Sequence, residues 1–140
     1  MCGFSLFYEF EQSNSLDYID ESLNSILHRG PDDNGKIVFE MNSGRKIGIV
    51  HSRLSIIDLS EAAHQPMTSS CGRFIMAFNG EIYNYKDLLD QLELSKLKSK
   101  SDSEVFLELF SKYGTDCFTM VKGIFSAAFF DTKINKLYCV

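Results

Sequence analysis

Between Lys36 and Tyr85 the chain reads KIVFEM, then NSG, then RKIGIVHSRLSIID, a polar stretch through HQPMTSSCG, and RFIMAFNGEIYNY. Short runs rich in β-branched and aromatic residues, each broken by turn residues, pair as antiparallel strands and hairpins, and a sheet made of them must bury a face. No other feature of the sequence constrains the fold as much. FSLFYEF near the start adds a strand in which Phe4, Leu6, Tyr8 and Phe10 alternate with mixed neighbours. IFSAAFF and KLYCV, flanking the polar turn DTKINK, add a last hairpin.

Helical patterns lie among these strands. In SLDYIDESLNSILHRGP, Leu16, Ile19, Leu23, Ile26 and Leu27 recur at helical spacing, acids crowd the start, and His28 and Arg29 precede Gly30-Pro31. A short helix is predicted over YKDLLDQLE and a better marked one over SDSEVFLELFSKYG. In the latter, Ser101 and Glu104 have capping-box spacing and Val105, Phe106, Leu109, Phe110 and Tyr113 line one face before Gly114. The order of elements implies an α+β fold in which helices cover sheet faces, outside both sheets where two of them stack.

The 140 residues, 44% hydrophobic and 13% aromatic, suit one domain with a real core. A net charge of −5 without a basic run speaks against nucleic acid as a partner, and no apolar run approaches the roughly 20 residues that cross a bilayer. Cys2, Cys71, Cys117 and Cys139 show no CxxC spacing and no signal-peptide pattern precedes them, so they read as reduced thiols of a cytoplasmic protein. His28, His51 and His64 are far apart, with no Cys at metal-ligand spacing, and no metal site is expected. The last strand runs to Val140 without a turn or capping residue, and a chain cut from something longer is expected.

Four places can carry chemistry, and each has a plain alternative. Cys2 alone reads as a small apolar residue starting a strand. If Met1 is removed, however, it carries a thiol and a free α-amine, a nucleophile and its own base in one residue. Asn79-Gly80 in FNGEIYN is a strong hairpin signal, but an Asn carboxamide and the following Gly N–H can also aim two donors at one oxyanion. Arg53, in an apolar strand-like run, is either a surface residue or a fork for a carboxylate. Asp102 is a first-turn helix acid or an anion for a substrate ammonium. HRGPDD reads as a helix stop followed by a loop.

MCGF, HRGPDDNG, HSRLSIIDLS, QPM, FNGEIYN, SDSEV and GTDCFTMVKGIFSAAFFD, in one collinear order from Met1 to Val140, together resemble the class II glutamine amidotransferase domain. The resemblance is greatest to that of glutamine-hydrolysing asparagine synthetases. It implies the N-terminal-nucleophile hydrolase fold, an αββα sandwich of two stacked antiparallel sheets between helical layers, and hydrolysis of glutamine to glutamate and ammonia. It assigns Cys2 as nucleophile, Asn79 and Gly80 as the oxyanion hole, Arg53 to the glutamine α-carboxylate, and Glu81 and Asp102 to the α-amino group. Residues 1–140 would be the amidotransferase domain, shortened at its C-terminal end. The domain itself needs no cofactor or metal. ATP and Mg belong to the synthetase domain that follows in relatives, which would be the partner and would make asparagine from aspartate.

Two departures from the family pattern stand out. The segment DLLDQLELSKLKSK is short and lacks the usual Gly, and Ser103 replaces the usual Thr. Other expectations stay open: an acceptor that is a sugar or another carboxylate, an inactive glutamine-binding fragment if Met1 is retained, and a homodimer.

Overall fold

A computed structural model describes residues 2–9, 18–91 and 97–140. Within them, strands β1 (Gly3–Tyr8), β2 (Asp33–Glu40) and β3 (Lys46–Arg53) form one antiparallel sheet in the order β1-β3-β2. Strands β4 (Met67–Thr68), β5 (Phe74–Ile82), β6 (Gly123–Asp131) and β7 (Lys136–Cys139) form a second, in that order. Helix α1 (Ile19–Ile26) packs on β1 and β3, while α2 (Tyr85–Gln91) and α3 (Asp102–Tyr113) cover the far side of the second sheet. The layers run helix, sheet, sheet, helix, the αββα sandwich that the sequence implied.

Strand periodicity explains both the stacking and the place where the site lies. Ile47 and Ile49 of β3, Ile75 and Ala77 of β5 and Phe130 of β6 meet between the sheets, joined by Phe4, Leu6 and Tyr8 of β1. Alternate residues share a face, so the same inward rows continue to Cys2 before β1, to His51 and Arg53 at the end of β3, and to Asn79 on β5. At one end of the sandwich the rows turn from apolar to polar. The opposite face of β5, with Phe74, Met76, Phe78 and Ile82, packs under α3.

That helix is held by an aromatic cluster. Phe110 stacks on Phe129 with centroids 4.1 Å apart, and Phe106 meets Phe78, Phe125 and Phe129 edge-on. Truncating a phenylalanine in such a position costs ~3–5 kcal/mol, so α3 is fixed firmly over β5. Its Ser101 cap accepts the Glu104 N–H, as the spacing predicts. Glu104 does not close the box. Its carboxylate reaches further back, accepting the N–H groups of Lys98 and Ser99 and the Ser99 hydroxyl.

Four expectations are corrected. The helix predicted through HRG ends at Ile26 and passes into a 3-10 turn over Leu27–Arg29. Strand β2 begins at Asp33, inside what read as a loop, because Asn34, Gly35 and Asp33 pair with Ser52, His51 and Arg53. The run RKIGIVHSRLSIID stops being a strand at Arg53, whose guanidinium grips the carbonyls of Asp58 and Ser60 and folds the following residues back. Asn79-Gly80 is not a turn: β5 runs straight through it, paired to Ser126 and Phe125. The last hairpin stands as read, with a tight turn between β6 and β7. Phe10 and Leu16, and the last two residues of the YKDLLDQLE helix, lie outside the described residues.

Candidate active site

A cleft of about 560 Å³ opens at the polar end of the sandwich, and Cys2, Arg53, Asn79, Gly80, Glu81 and Asp102 all line it. These six are the residues singled out from the sequence, drawn from the residue before β1 and from β3, β5 and α3. Leu54, Ile56, Ile57, Tyr83, Ile124 and Phe125 supply much of the apolar wall.

Cys2 is half-buried at the head of β1, its Sγ accepting the Leu54 N–H at 3.3 Å and lying 3.7 Å from the Leu54 carbonyl. The glycine that follows it answers to space. A Cβ on Gly3 would stand 2.7 Å from Arg29 Cδ, and Arg29 must pass there because its Nε donates to the Cys2 carbonyl at 3.0 Å. The 3-10 turn after α1 is thus fastened over the residue that carries the thiol. Gly30, next along, presses on the backbone of β3, where a Cβ would meet the Arg53 carbonyl carbon at 2.4 Å.

Arg53 is buried, and three groups hold it. Its Nη1 donates to the Ser60 carbonyl at 3.0 Å and lies 3.8 Å from Asp33 Oδ2, while Nη2 donates to the Asp58 carbonyl. A guanidinium has five N–H donors, so a fork remains for a carboxylate in the cleft. Leu54, Ile56, Ile57 and Asp58 line this end of the cleft, and the Asp58 carboxylate accepts the Ser60 N–H at 2.8 Å and, from the segment before α3, the Lys100 N–H at 2.6 Å. Those bonds lower its pKa from 3.8 to about 2, the Lys100 N–H contributing most. A depressed carboxyl favours the fold above its ordinary pKa and loses that effect as pH falls through the native one. Chemical denaturation at stepped pH should therefore show wild type ahead of Asp58→Ala at neutral pH, the gap closing between about pH 4 and pH 2.

Gly80 has φ +152°, a backbone that side chains rarely adopt, and a Cβ there would lie 2.4 Å from the Ile124 carbonyl and from Phe125 Cα. Only glycine fits. Beside it Glu81 is exposed, and Asp102, in the first turn of α3, is buried. The Asp102 carboxylate accepts the N–H groups of Ile82 and Ser103, each at 2.9 Å. Burial pushes its pKa up, and the Glu81 charge adds to that. Two carboxylates, Glu81 and Asp102, thus share the cleft with the Arg53 guanidinium. The short segment before α3 does not keep Asp102 out of the cleft.

Two buried polar residues near the cleft carried no functional reading in the sequence. Gln65, of the QPM motif, lines the cleft and accepts the Phe78 N–H at 2.7 Å. His51, fully buried, lies 2.9 Å from the Phe78 carbonyl through Nε2, and burial pushes its pKa down to about 4. The alternation Ile47, Ile49, His51, Arg53 was the signal that could have placed His51 inward. Among the described residues no set of three or more His, Cys, Asp or Glu is grouped to hold a metal, and no helix is long and apolar enough to cross a membrane.

A family model described as a glutamine amidotransferase domain matches residues 1–140. The chain belongs to that family. This amidotransferase domain is 33% identical to a putative asparagine synthetase (glutamine-hydrolyzing) 2 of Methanocaldococcus jannaschii, over 99% of this chain and 29% of that relative. It is 36% identical to asparagine synthetase (glutamine-hydrolyzing) 2 of Bacillus subtilis, over 83% of this chain and 15% of the relative, and 30% identical to amidase chry2 of Gibberella zeae, over 98% and 22%. The chain therefore spans less than a third of the curated relatives it matches. Among solved structures, a glutamine phosphoribosylpyrophosphate amidotransferase of B. subtilis, complexed with ADP and GMP, superposes over 94% of this chain and 35% of its own with a TM-score of 0.68 at 20% identity. That likeness supports the N-terminal-nucleophile hydrolase fold.

Proposed function

We propose that the chain hydrolyses glutamine to glutamate and ammonia, with Cys2 as nucleophile. The observation that carries this reading is the convergence of a thiol, a strand-borne Asn-Gly pair, a buried Arg fork and two carboxylates on one cleft. Arg53 on the one hand and Glu81 with Asp102 on the other suit the α-carboxylate and α-ammonium of an amino acid. The arriving ammonium supplies a charge partner that the buried Asp102 carboxylate lacks among the described residues.

With Met1 removed, the Cys2 α-amine takes the thiol proton, and the thiolate attacks the side-chain carbonyl carbon of glutamine. Asn79 and the Gly80 N–H meet the oxyanion. The C–N bond then breaks, the α-ammonium returns its proton to the leaving nitrogen, and ammonia departs. Water cleaves the thioester to glutamate, restoring the thiol. Ammonia would serve a synthetase domain of the longer protein, where ATP-dependent activation of aspartate belongs, and the matches to asparagine synthetases favour asparagine as the product.

Intact-mass analysis with an electrophilic glutamine analogue tests the core of this. One adduct on a chain lacking Met1, mapped to Cys2 and blocked by excess glutamine, is expected together with glutamate release. No adduct and no release, or retained Met1, would mark an inert glutamine-binding fragment. Arg53→Ala should raise KM for glutamine on the order of 10²-fold, since a buried charged partner is lost, and Arg53→Lys should recover only part of it. An unchanged KM in steady-state assays would remove Arg53 from the substrate site.

A further inference from the structure

Among the described residues, strand β4 pairs with β5 at Ile75 and Met76, and toward Ile82 no described strand lies beside that edge of β5. In an extended strand the backbone groups of every second residue face the same edge, so residues 78, 80 and 82 present theirs together. Side chains meet the outer two. Gln65 Oε1 accepts the Phe78 N–H at 2.7 Å, His51 Nε2 lies 2.9 Å from the Phe78 carbonyl, and Asp102 Oδ2 accepts the Ile82 N–H at 2.9 Å. Between them the alternation turns the Gly80 N–H toward the cleft.

The chemistry of these contacts is fixed. A carbonyl only accepts, so His51 Nε2 carries the hydrogen and Nδ1 is left bare, the one buried side-chain polar atom without a partner among the described residues. An N–H only donates, so Gln65 presents its oxygen to Phe78 and its amide nitrogen elsewhere. Neither residue is an economical choice for packing. His51 continues the row of Ile47 and Ile49, where an aliphatic side chain would leave no orphaned nitrogen.

We propose that Gln65 and His51 are positioning residues that grip the Phe78 backbone at its N–H and its carbonyl and so aim the Asn79 carboxamide and the Gly80 N–H at the developing oxyanion. The proposal rests on the glutaminase reading above. It explains why the QPM segment reaches in from the loop before β4, and why a buried histidine ends the row of Ile47 and Ile49. A displacement of about 1 Å in such donors lowers rates on the order of 10²-fold.

The test uses Gln65→Met and His51→Leu, each losing its bond to Phe78, with His51→Gln as the variant that restores a donor. Thermal unfolding selects the variants that fold. The expected result is a kcat for glutamine lowered 10-fold or more at a near-constant KM, with recovery in His51→Gln. Variants that hydrolyse glutamine at the wild-type kcat, or that lose it through KM alone, overturn the grip. If the wild-type chain is itself inert toward glutamine, the glutaminase reading fails instead. Amide hydrogen exchange then decides the grip separately: faster exchange at Phe78 and Gly80 in Gln65→Met and His51→Leu supports it, and unchanged exchange refutes it.

Discussion

Cys2→Ala should lower glutamine turnover to the assay background, a loss on the order of 10⁶-fold if deletion of a nucleophile acts here as it does in other covalent hydrolases. Binding should survive. Arg53, Glu81 and Asp102 are untouched by the change, and the thiol's own contacts are one N–H and one carbonyl of Leu54, neither of which holds β1 to β3. Isothermal titration with glutamine should therefore give a Kd close to that of wild type alongside zero turnover. Residual turnover above background would transfer the nucleophile's role to another group.

Asn79→Ala is the second large effect and differs in kind. Removing one oxyanion donor costs about 10²- to 10³-fold in kcat, because the charge it meets exists only in the transition state. KM should barely move. The half-buried Asn79 side chain opens on the cleft, so truncation there creates no sealed cavity and stability should stay within about 0.5 kcal/mol. Asn79→Asp sharpens the test, since it keeps the size and replaces the donor by an anion; it should be at least as slow. Turnover within a few-fold of wild type in either variant refutes the role.

Much of this was legible in the residues. Period-two runs and turn breaks marked the strands, Ser101 and Gly114 bounded α3, and the collinear motifs pointed to Cys2, Arg53, Asn79, Gly80, Glu81 and Asp102. The errors have physical causes. Asn-Gly is the commonest chemistry of a tight turn, yet the same glycine also permits φ +152° inside a strand, and only the partner strand decides between them. The run after Arg53 looks like a strand because Leu54, Ile56 and Ile57 are apolar, but those side chains face the cleft. Gln65 and His51 bond the Phe78 backbone 13 and 27 positions away, and contacts of that kind have no local pattern.

Strand pairing in β1 starts at Gly3, opposite Ser52, and Cys2 is attached just ahead of it. Whatever is joined upstream of Cys2 therefore leaves the sheet intact. If the Cys2 α-amine is the base, as proposed, an affinity tag or an uncleaved leader should leave a chain that folds but does not hydrolyse glutamine, because an acylated nitrogen accepts no proton from the thiol. Production of this protein should place any tag at the other terminus and check the first residue by mass before an assay is believed.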